Sequence, residues 1–267
     1  MSSEATGSNA NKGAKITLYW LEKSRAHRIL WLLEELKLDY ELKIFKRTKD
    51  RLAPPELKEV HPLGKSPVVG LQGPDADKPL MLAESGAIVE YLTEHFGEWL
   101  IPKKWKEGKE GQVGGETEEW MRYRFFMHYA EGSMMPLLVI SLMFWLVETS
   151  PVPFFIKPVT KGIAGRIKSL FLEPNFKTHF GFLEEQLTTA PGGGGAFFCG
   201  KELTGADILM SYPLEGAQMR AGLSKEAYPK LNAYVERLHE REAYKKAVAK
   251  IEEVTGEKYD PNVLNNS

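Results

Sequence analysis

The chain has 267 residues, enough for two modest domains. Its 35 basic residues nearly balance 36 acidic residues, and this formal net charge of −1 argues against a nucleic-acid partner. The single cysteine, Cys199, excludes a disulfide within the chain, and the six histidines show no zinc-ligand spacing. We therefore expect no bound metal, and small molecules or proteins as partners.

Residues 1–14 are small and polar and lack the apolar core of a signal peptide, so we expect a disordered tail. No uncharged stretch reaches the ~18 residues that a membrane-spanning helix needs. Both observations predict a soluble, cytoplasmic protein.

The first elements follow a strand–helix–strand order. Residues 16–20 form a short, β-prone apolar run, and residues 24–36 are rich in helix-forming residues with apolar side chains on one face. A second strand is expected at residues 40–45. A unit of this length is typical of a parallel βαβ crossover.

A second group of elements follows. Prolines at 54 and 55 open a short helix, strands are predicted at 66–69 and 79–83, and residues 85–96 read as a helix. The order βαβ followed by ββα is that of a thioredoxin-like α+β domain, which we place at residues 15–98.

The rest of the chain is helical in pattern. Residues 99–117 are charged and glycine-rich and predict a linker. Helices are expected at 118–148, 175–188, from 207 and at 229–253, so that residues 118–258 form an all-helical bundle. Three prolines interrupt residues 150–174, which are either a long loop or a short amphipathic element.

Three segments meet at one place if the first domain is thioredoxin-like. They are Ser24, Ser66-Pro67 and Glu84-Ser85. Two of them begin helices, and helix N-termini favour anions. A site of this kind suits a ligand that carries both a thiolate and a carboxylate, as glutathione does.

Four runs carry a resemblance to a known family: SRAHRILWLLEELKLDYE, PPELKEVHPLGKSPVV, LAESGAIVEYL and, in the helical half, LTGADILMSYPL. The chain resembles fungal and bacterial glutathione S-transferases, and most of all the fungal Gtt1-like branch. The resemblance implies a thioredoxin-like domain followed by an all-α domain, a homodimer, and glutathione as co-substrate.

The same resemblance implies the chemistry. The glutathione thiolate would add to an apolar electrophile, as in detoxification and stress response, and would also reduce organic hydroperoxides. The alternative is a glutathione-binding regulatory or scaffold protein with weak or no turnover, because fold alone does not decide function.

Carried over to this chain, the resemblance assigns five residues to glutathione. Pro67 would be cis, exposing the Ser66 backbone to the cysteinyl part of the ligand. Ser85 would hold the γ-glutamyl carboxylate and Glu84 the ammonium group. The alternative for Ser85 is that it serves only as the N-cap of the helix, a role that requires no ligand. Lys65 would reach a carboxylate of glutathione, or is an ordinary surface lysine.

The sequence leaves three alternatives for the group that activates the glutathione thiol. Ser24 has a suitable hydroxyl near the start of the first helix, but it is also a natural helix cap. Counted from Arg28, the serine of many related enzymes falls at Lys23, one residue earlier. Tyr19 lies where tyrosine-type members carry their hydroxyl, and a mechanism based on the backbone or on Arg25 is the third alternative.

Residues 125–147 are unusually apolar, and in the family this helix lines the electrophile pocket. Phe126, Tyr129, Met134 and Met135 are candidate wall residues, with plain bundle core as the alternative. Aromatic residues beside lysines and arginines at 144–172 suggest either a peripheral membrane contact or burial in a dimer.

Two other features have structural interpretations. Thr204 and Asp207 have the spacing of a capping box and predict a structural cap. Cys199 is far in sequence from the first helix, where cysteine-dependent members carry their nucleophile, so disulfide exchange by an enzyme cysteine is not expected.

Overall fold

The structure, a computed structural model, describes residues 9–259. The chain divides into two compact units, one containing the residues up to Ile101 together with those from Leu238 onward, the other Pro102–Arg237. Residues 1–8 of the predicted tail lie outside the described residues. Residues 9–11 form a 3-10 turn, and the Asn11 side-chain amide donates to the Ala14 carbonyl at 3.1 Å and the Asp39 carbonyl at 2.7 Å.

The first unit contains a four-stranded mixed sheet with strand order β2-β1-β3-β4. Strands β1 and β2 are parallel, and β3 is antiparallel to both β1 and β4. This confirms the predicted α+β fold class and its parallel βαβ unit. The elements, in chain order, are β1 Lys15–Leu21, α1 Ala26–Glu35, β2 Glu41–Phe45, α2 Leu57–Val60, β3 Val68–Gln72, β4 Leu80–Ala83, α3 Ser85–Phe96 and, at the other end of the chain, α10 Glu242–Thr255.

Alternation along β1 decides which face of the sheet is buried. Ile16, Leu18 and Trp20 are almost fully buried on one face, whereas Thr17 and Tyr19 on the other face are half-exposed. Helix α1 is buried along most of its length, because it packs against β1 and α3 and is also covered by α10.

The second unit is helical. It comprises α4 Glu118–Tyr129, α5 Met135–Thr149, α6 Lys157–Ile167, α7 Glu173–Thr188, α8 Gly205–Arg220 and α9 Pro229–His239, whose last two residues belong to the first unit. A π-helical turn, Ala130–Met134, joins α4 to α5, and another, Lys168–Leu172, joins α6 to α7. Within residues 150–174, for which we expected either a long loop or a short amphipathic element, the structure has helix α6 and the π-helical turn that follows it.

Residues 102–117, predicted as a linker, have local structure. A β-bridge pairs Trp105 with Glu116, and the Lys104 ammonium lies 4.5 Å from the Trp105 ring centroid. Among the described residues, one continuous helix, Glu118–Thr149, is long and apolar enough to cross a bilayer, with a mean hydropathy of 1.7 over its most apolar window. Core helices of soluble proteins also meet this criterion of length and composition.

Candidate active site

Strand register brings the three predicted segments to one end of the sheet. Tyr19 of β1 lies opposite Val68 of β3, and Val68 lies opposite Ala83 of β4. The turn after β1, the Ser66-Pro67 segment before β3 and the Glu84-Ser85 segment after β4 therefore emerge at the same edge. Each of these segments connects two elements of secondary structure. Connecting segments that a rigid sheet positions often carry binding residues.

The Ser66–Pro67 peptide bond is cis, as the resemblance implies. The Ser66 hydroxyl donates to the Tyr19 carbonyl at 2.9 Å and accepts from the Leu21 N–H at 3.1 Å. These two bonds fix the segment before β3 against the end of β1. The side chain of Ser66 is thus used for structure.

Glu84 has a left-handed backbone conformation, with φ of +69°. A non-glycine residue in this region is strained by about 1–3 kcal/mol, and such strain clusters at functional sites. The exposed carboxylate of Glu84 does not cap α3. Ser85, the first residue of α3, is buried, whereas the Lys65 side chain is exposed. The anion-favouring helix end and a free carboxylate are therefore adjacent.

Ser24 lies in the turn before α1 and is 8% exposed. Its hydroxyl donates to the Leu21 carbonyl at 2.7 Å and accepts from the Ala26 N–H at 3.2 Å. The preceding residue, Lys23, has a left-handed φ of +49°. The sequence-predicted serine therefore lies at the same end of the sheet as the other two segments, in a tight turn that its own hydroxyl holds together.

Arg47 was not among the predicted site residues, yet it holds this turn in place. Its guanidinium donates to the carbonyls of Glu22 at 3.1 Å, Lys23 at 3.1 Å and Arg51 at 2.9 Å. Its backbone N–H donates to the Glu22 carboxylate. Because the acceptors are mostly backbone carbonyls, no sequence motif marks this contact.

The Tyr19 side chain lies across the half-exposed face of the sheet. Its ring lies beside Gly70, 3.5 Å from where a Cβ atom on that glycine would be. The ring centroid is 6.5 Å from that of Phe45, and the Lys43 ammonium lies 5.4 Å from it. It lines a shallow groove of about 810 Å³, together with residues such as Lys15 and Gln72. Gly70 pairs with Thr17, so the ring extends along the sheet face and away from the edge that carries the other segments.

The four candidate pocket residues, Phe126, Tyr129, Met134 and Met135, are all at most 7% exposed. Phe126 stacks on Phe198 with ring centroids 4.4 Å apart, and the Tyr129 hydroxyl lies 2.5 Å from Nδ1 of His179. Burial raises the pKa of Tyr129 and lowers that of His179. This packing is what a helical core shows, and the electrophile-pocket role of these residues stays a prediction.

The Asp207 carboxylate accepts from the Thr204 N–H at 2.8 Å, which is the contact that the capping-box spacing predicts, and also from the Thr204 hydroxyl at 2.7 Å. Cys199 is buried, and this burial raises the pKa of its thiol well above the ordinary value. Such a thiol is a poor nucleophile. Among residues 9–259, no three His, Cys, Asp or Glu side chains are grouped closely enough to hold a metal ion.

Comparison with protein families gives two matches. Residues 14–94 match the glutathione S-transferase N-terminal domain, and residues 150–250 match the glutathione S-transferase C-terminal domain. The first match contains all three segments at the sheet edge. The second contains the Thr204–Asp207 cap.

Whole-chain similarities agree with both matches. The chain is 33% identical to glutathione S-transferase 1 of Saccharomyces cerevisiae, over 86% of this chain and 92% of that protein. It is 31% identical to glutathione S-transferase 3 of Schizosaccharomyces pombe, over 90% and 89%. Both relatives are fungal, in agreement with the resemblance to the fungal branch.

A solved glutathione S-transferase from Actinobacillus pleuropneumoniae has 30% sequence identity and a TM-score of 0.63, covering 92% of this chain and 95% of its own. The site segments, both domain matches and nearly full-length identity above 30% lead to one conclusion: the chain belongs to the glutathione S-transferase family.

Proposed function

We propose that this glutathione transferase joins the glutathione thiolate to apolar electrophiles, with the ligand held at the sheet edge formed by the turn before α1, cis-Pro67 and the start of α3. The observation that carries the proposal is the register that brings these three connections together. Transferase activity and glutathione as co-substrate follow from the family. The residue roles and the electrophile class are proposals.

In this arrangement the Ser66 backbone pairs with the cysteinyl part of glutathione. The Ser85 hydroxyl and the N-terminus of α3 receive the γ-glutamyl carboxylate, and the exposed Glu84 carboxylate receives the ammonium group. Lys65, exposed and next in sequence to Ser66, reaches a carboxylate of the ligand. The enzyme's task is to orient the two reactants and to supply thiolate at neutral pH.

Ser24 is the proposed thiol activator. It lies at the correct edge and at the N-terminal end of α1, where partial positive charge favours a thiolate. Its proton now goes to the Leu21 carbonyl, so activation requires the hydroxyl to rotate toward the sulfur. Catalytic hydrogen bonds often form only when the substrate is bound. Tyr19 is disfavoured because its ring extends along the sheet face.

We expect Ser24→Ala to lower kcat by about 100-fold and to raise the pKa of bound glutathione toward the free-thiol value of about 8.5. Glutathione affinity should change little, because the carboxylate and ammonium contacts remain. Ultraviolet titration of thiolate absorbance in the enzyme–glutathione complex measures the pKa, and steady-state kinetics with a chromogenic electrophile measures kcat.

Ser24→Thr retains a hydroxyl and should restore most of the activity, whereas Tyr19→Phe should behave as wild type. An unshifted thiol pKa in Ser24→Ala would transfer the activating role to the helix end and Arg25. If the wild-type protein binds glutathione without lowering the pKa of its thiol, that result would favour the alternative, a glutathione-binding regulatory or scaffold protein.

The same thiolate supports a second proposed activity, reduction of organic hydroperoxides. Attack on a peroxide oxygen releases the alcohol, and a second glutathione completes the balance by giving glutathione disulfide and water. We also propose a cytoplasmic homodimer, by resemblance to the family. The buried thiol of Cys199 takes no part in this chemistry.

A further inference from the structure

Helices α5 and α6 form a helical hairpin that the rest of the second unit covers poorly. We call residues 135–167 the arm. The two π-helical turns, Ala130–Met134 and Lys168–Leu172, lie at its base. Within the arm, the buried residues are Met135, Leu137 and Ala164, the first two of which begin α5. The distal part of the arm therefore contributes almost nothing to the core.

The distal part of the arm is nevertheless apolar. At the end of α5, Trp145, Leu146 and Val147 are exposed at three consecutive positions. In the following turn, Phe154 is 83% exposed and Phe155 is 66% exposed. Consecutive positions of a helix point about 100° apart, so Trp145, Leu146 and Val147 face different directions at the tip. Further from the tip, exposed apolar residues lie one turn apart along each helix: Val139 and Met143 on α5, and Val159 and Ile163 on α6. Exposed apolar surface of this extent marks an interaction site.

The arm has a net positive charge, unlike the chain as a whole. Its charged residues are the single acid Glu148 and the bases Lys157, Lys161 and Arg166, whereas the whole chain has a net charge of −1. Lys157 and Lys161 are one helical turn apart on α6, on the same side, directly after the two phenylalanines. Apolar side chains at a tip with basic residues behind them are typical of segments that enter an anionic membrane surface.

We propose that the arm is a membrane-docking element, whose tip (Trp145–Val147 and Phe154–Ile156) enters the headgroup region of an anionic bilayer while Lys157 and Lys161 contact lipid phosphates. A bilayer surrounds an inserted tip, so it accommodates apolar side chains that face several directions, and the basic residues behind the tip match anionic headgroups. The proposal is insertion of the tip alone, because the first part of this helix, with Tyr123 and Phe126, is core of the helical unit.

The test is sedimentation of the full-length protein with extruded vesicles, either phosphatidylcholine alone or phosphatidylcholine mixed with phosphatidylserine, an anionic lipid of the cytoplasmic leaflet. We expect the wild type to bind the anionic vesicles and to bind neutral vesicles at least tenfold less. Phe154→Ser with Phe155→Ser should remove binding to both. Lys157→Glu with Lys161→Glu should remove the preference for anionic lipid.

Matched controls change equally exposed residues elsewhere. Val113→Ser with Val254→Ser is the apolar control, and Lys245→Glu with Lys246→Glu on α10 is the charge control. Both should bind as wild type. Transferase turnover in the absence of lipid should be unchanged in every variant, which separates a failure of docking from a failure of the proposed function and shows that the variants fold.

Three results would overturn the proposal. The first is wild-type protein that binds neither kind of vesicle. The second is a phenylalanine double variant that still binds, or that only turns a dimer into a monomer in sedimentation velocity, which would assign the arm to a second copy. The third is vesicle-bound protein that resists extraction by alkaline carbonate, which would indicate a spanning helix.

Discussion

Asp207 is a fully buried carboxylate at the start of α8, and four donors surround it. Besides the two groups of Thr204, it accepts from the Phe198 N–H at 3.1 Å and the Tyr234 hydroxyl at 2.8 Å. Desolvation raises its pKa, and the hydrogen bonds from Thr204, Tyr234 and Phe198 oppose that rise. One side chain thus satisfies donors from three segments of the second unit.

We expect Asp207→Ala to lower the free energy of unfolding by about 3 kcal/mol or more, because it leaves several buried donors unsatisfied at about 1–3 kcal/mol each. Asp207→Asn should cost less, since its amide oxygen still accepts. Urea unfolding followed by circular dichroism measures both. Glu202→Ala, an exposed acid in the same loop, is the control, and a loss below about 1 kcal/mol for Asp207→Ala would contradict the assigned role.

At the scale of elements, the turn before α1 is held from outside by the loop after β2. Arg47 spans the two through its three hydrogen bonds to backbone carbonyls, two of which belong to the turn itself. Hydrogen bonds from a charged donor are about twice as strong as neutral ones. The turn before α1 is therefore shaped by two devices, the Ser24 hydroxyl from within and the Arg47 guanidinium from the side.

Arg47→Leu should loosen the turn without unfolding the sheet. We expect amide hydrogen exchange at residues 22–26 to become at least tenfold faster, whereas exchange in β1 and β3 stays unchanged, because the sheet ladder does not depend on Arg47. Lys49→Leu removes an exposed charge from the same loop and is the matched control. Unchanged protection of residues 22–26 would show that Ser24 alone holds the turn.

At the scale of the whole molecule, stability should depend on pH through His27. This histidine of α1 is buried and stacks on Tyr259 with ring centroids 3.9 Å apart, and neither of its ring nitrogens has a hydrogen-bond partner among the described residues. Desolvation, together with the nearby His239, lowers its pKa to about 3. The folded protein therefore keeps His27 neutral at pH values where the unfolded chain binds a proton.

Because the folded pKa lies below the ordinary value of about 6.5, stability from this group is fully present above pH 6.5 and falls with decreasing pH down to about 3. For His27→Leu, we expect the free energy of unfolding relative to wild type to rise by about 2 kcal/mol between pH 7.5 and pH 5, at about 1.4 kcal/mol per pH unit below 6.5. Urea unfolding at the two pH values measures it.

His128→Leu replaces an exposed histidine of α4 and should follow the pH dependence of the wild type. A constant difference between His27→Leu and wild type across this range would mean that folding does not lower the pKa of His27. The quantity compared is the difference in the free energy of unfolding between variant and wild type at each pH. Loss of the stacked ring changes this difference equally at both pH values, so it does not affect the pH dependence.

Much of the fold and the location of the site could be predicted from local sequence. Apolar periodicity and turn residues predict the βαβ and ββα units, because strand and helix periods are set by backbone geometry. That topology places Ser24, Pro67 and Glu84 at one edge. The four motif runs were enough to identify the family, and with it the transferase activity and glutathione as co-substrate.

Only the tertiary structure decided where side chains point, which long-range hydrogen bonds form, and which apolar surfaces other elements cover. Tyr19 and Ser24 both carry hydroxyls near the site, but the pleat of β1 directs the Tyr19 ring across the sheet, while the turn holds Ser24 at its edge. Arg47 reaches carbonyls distant in sequence, which no local pattern encodes. The arm is as apolar in sequence as a buried core helix. Only packing shows that it is exposed, because burial depends on which neighbours the fold supplies.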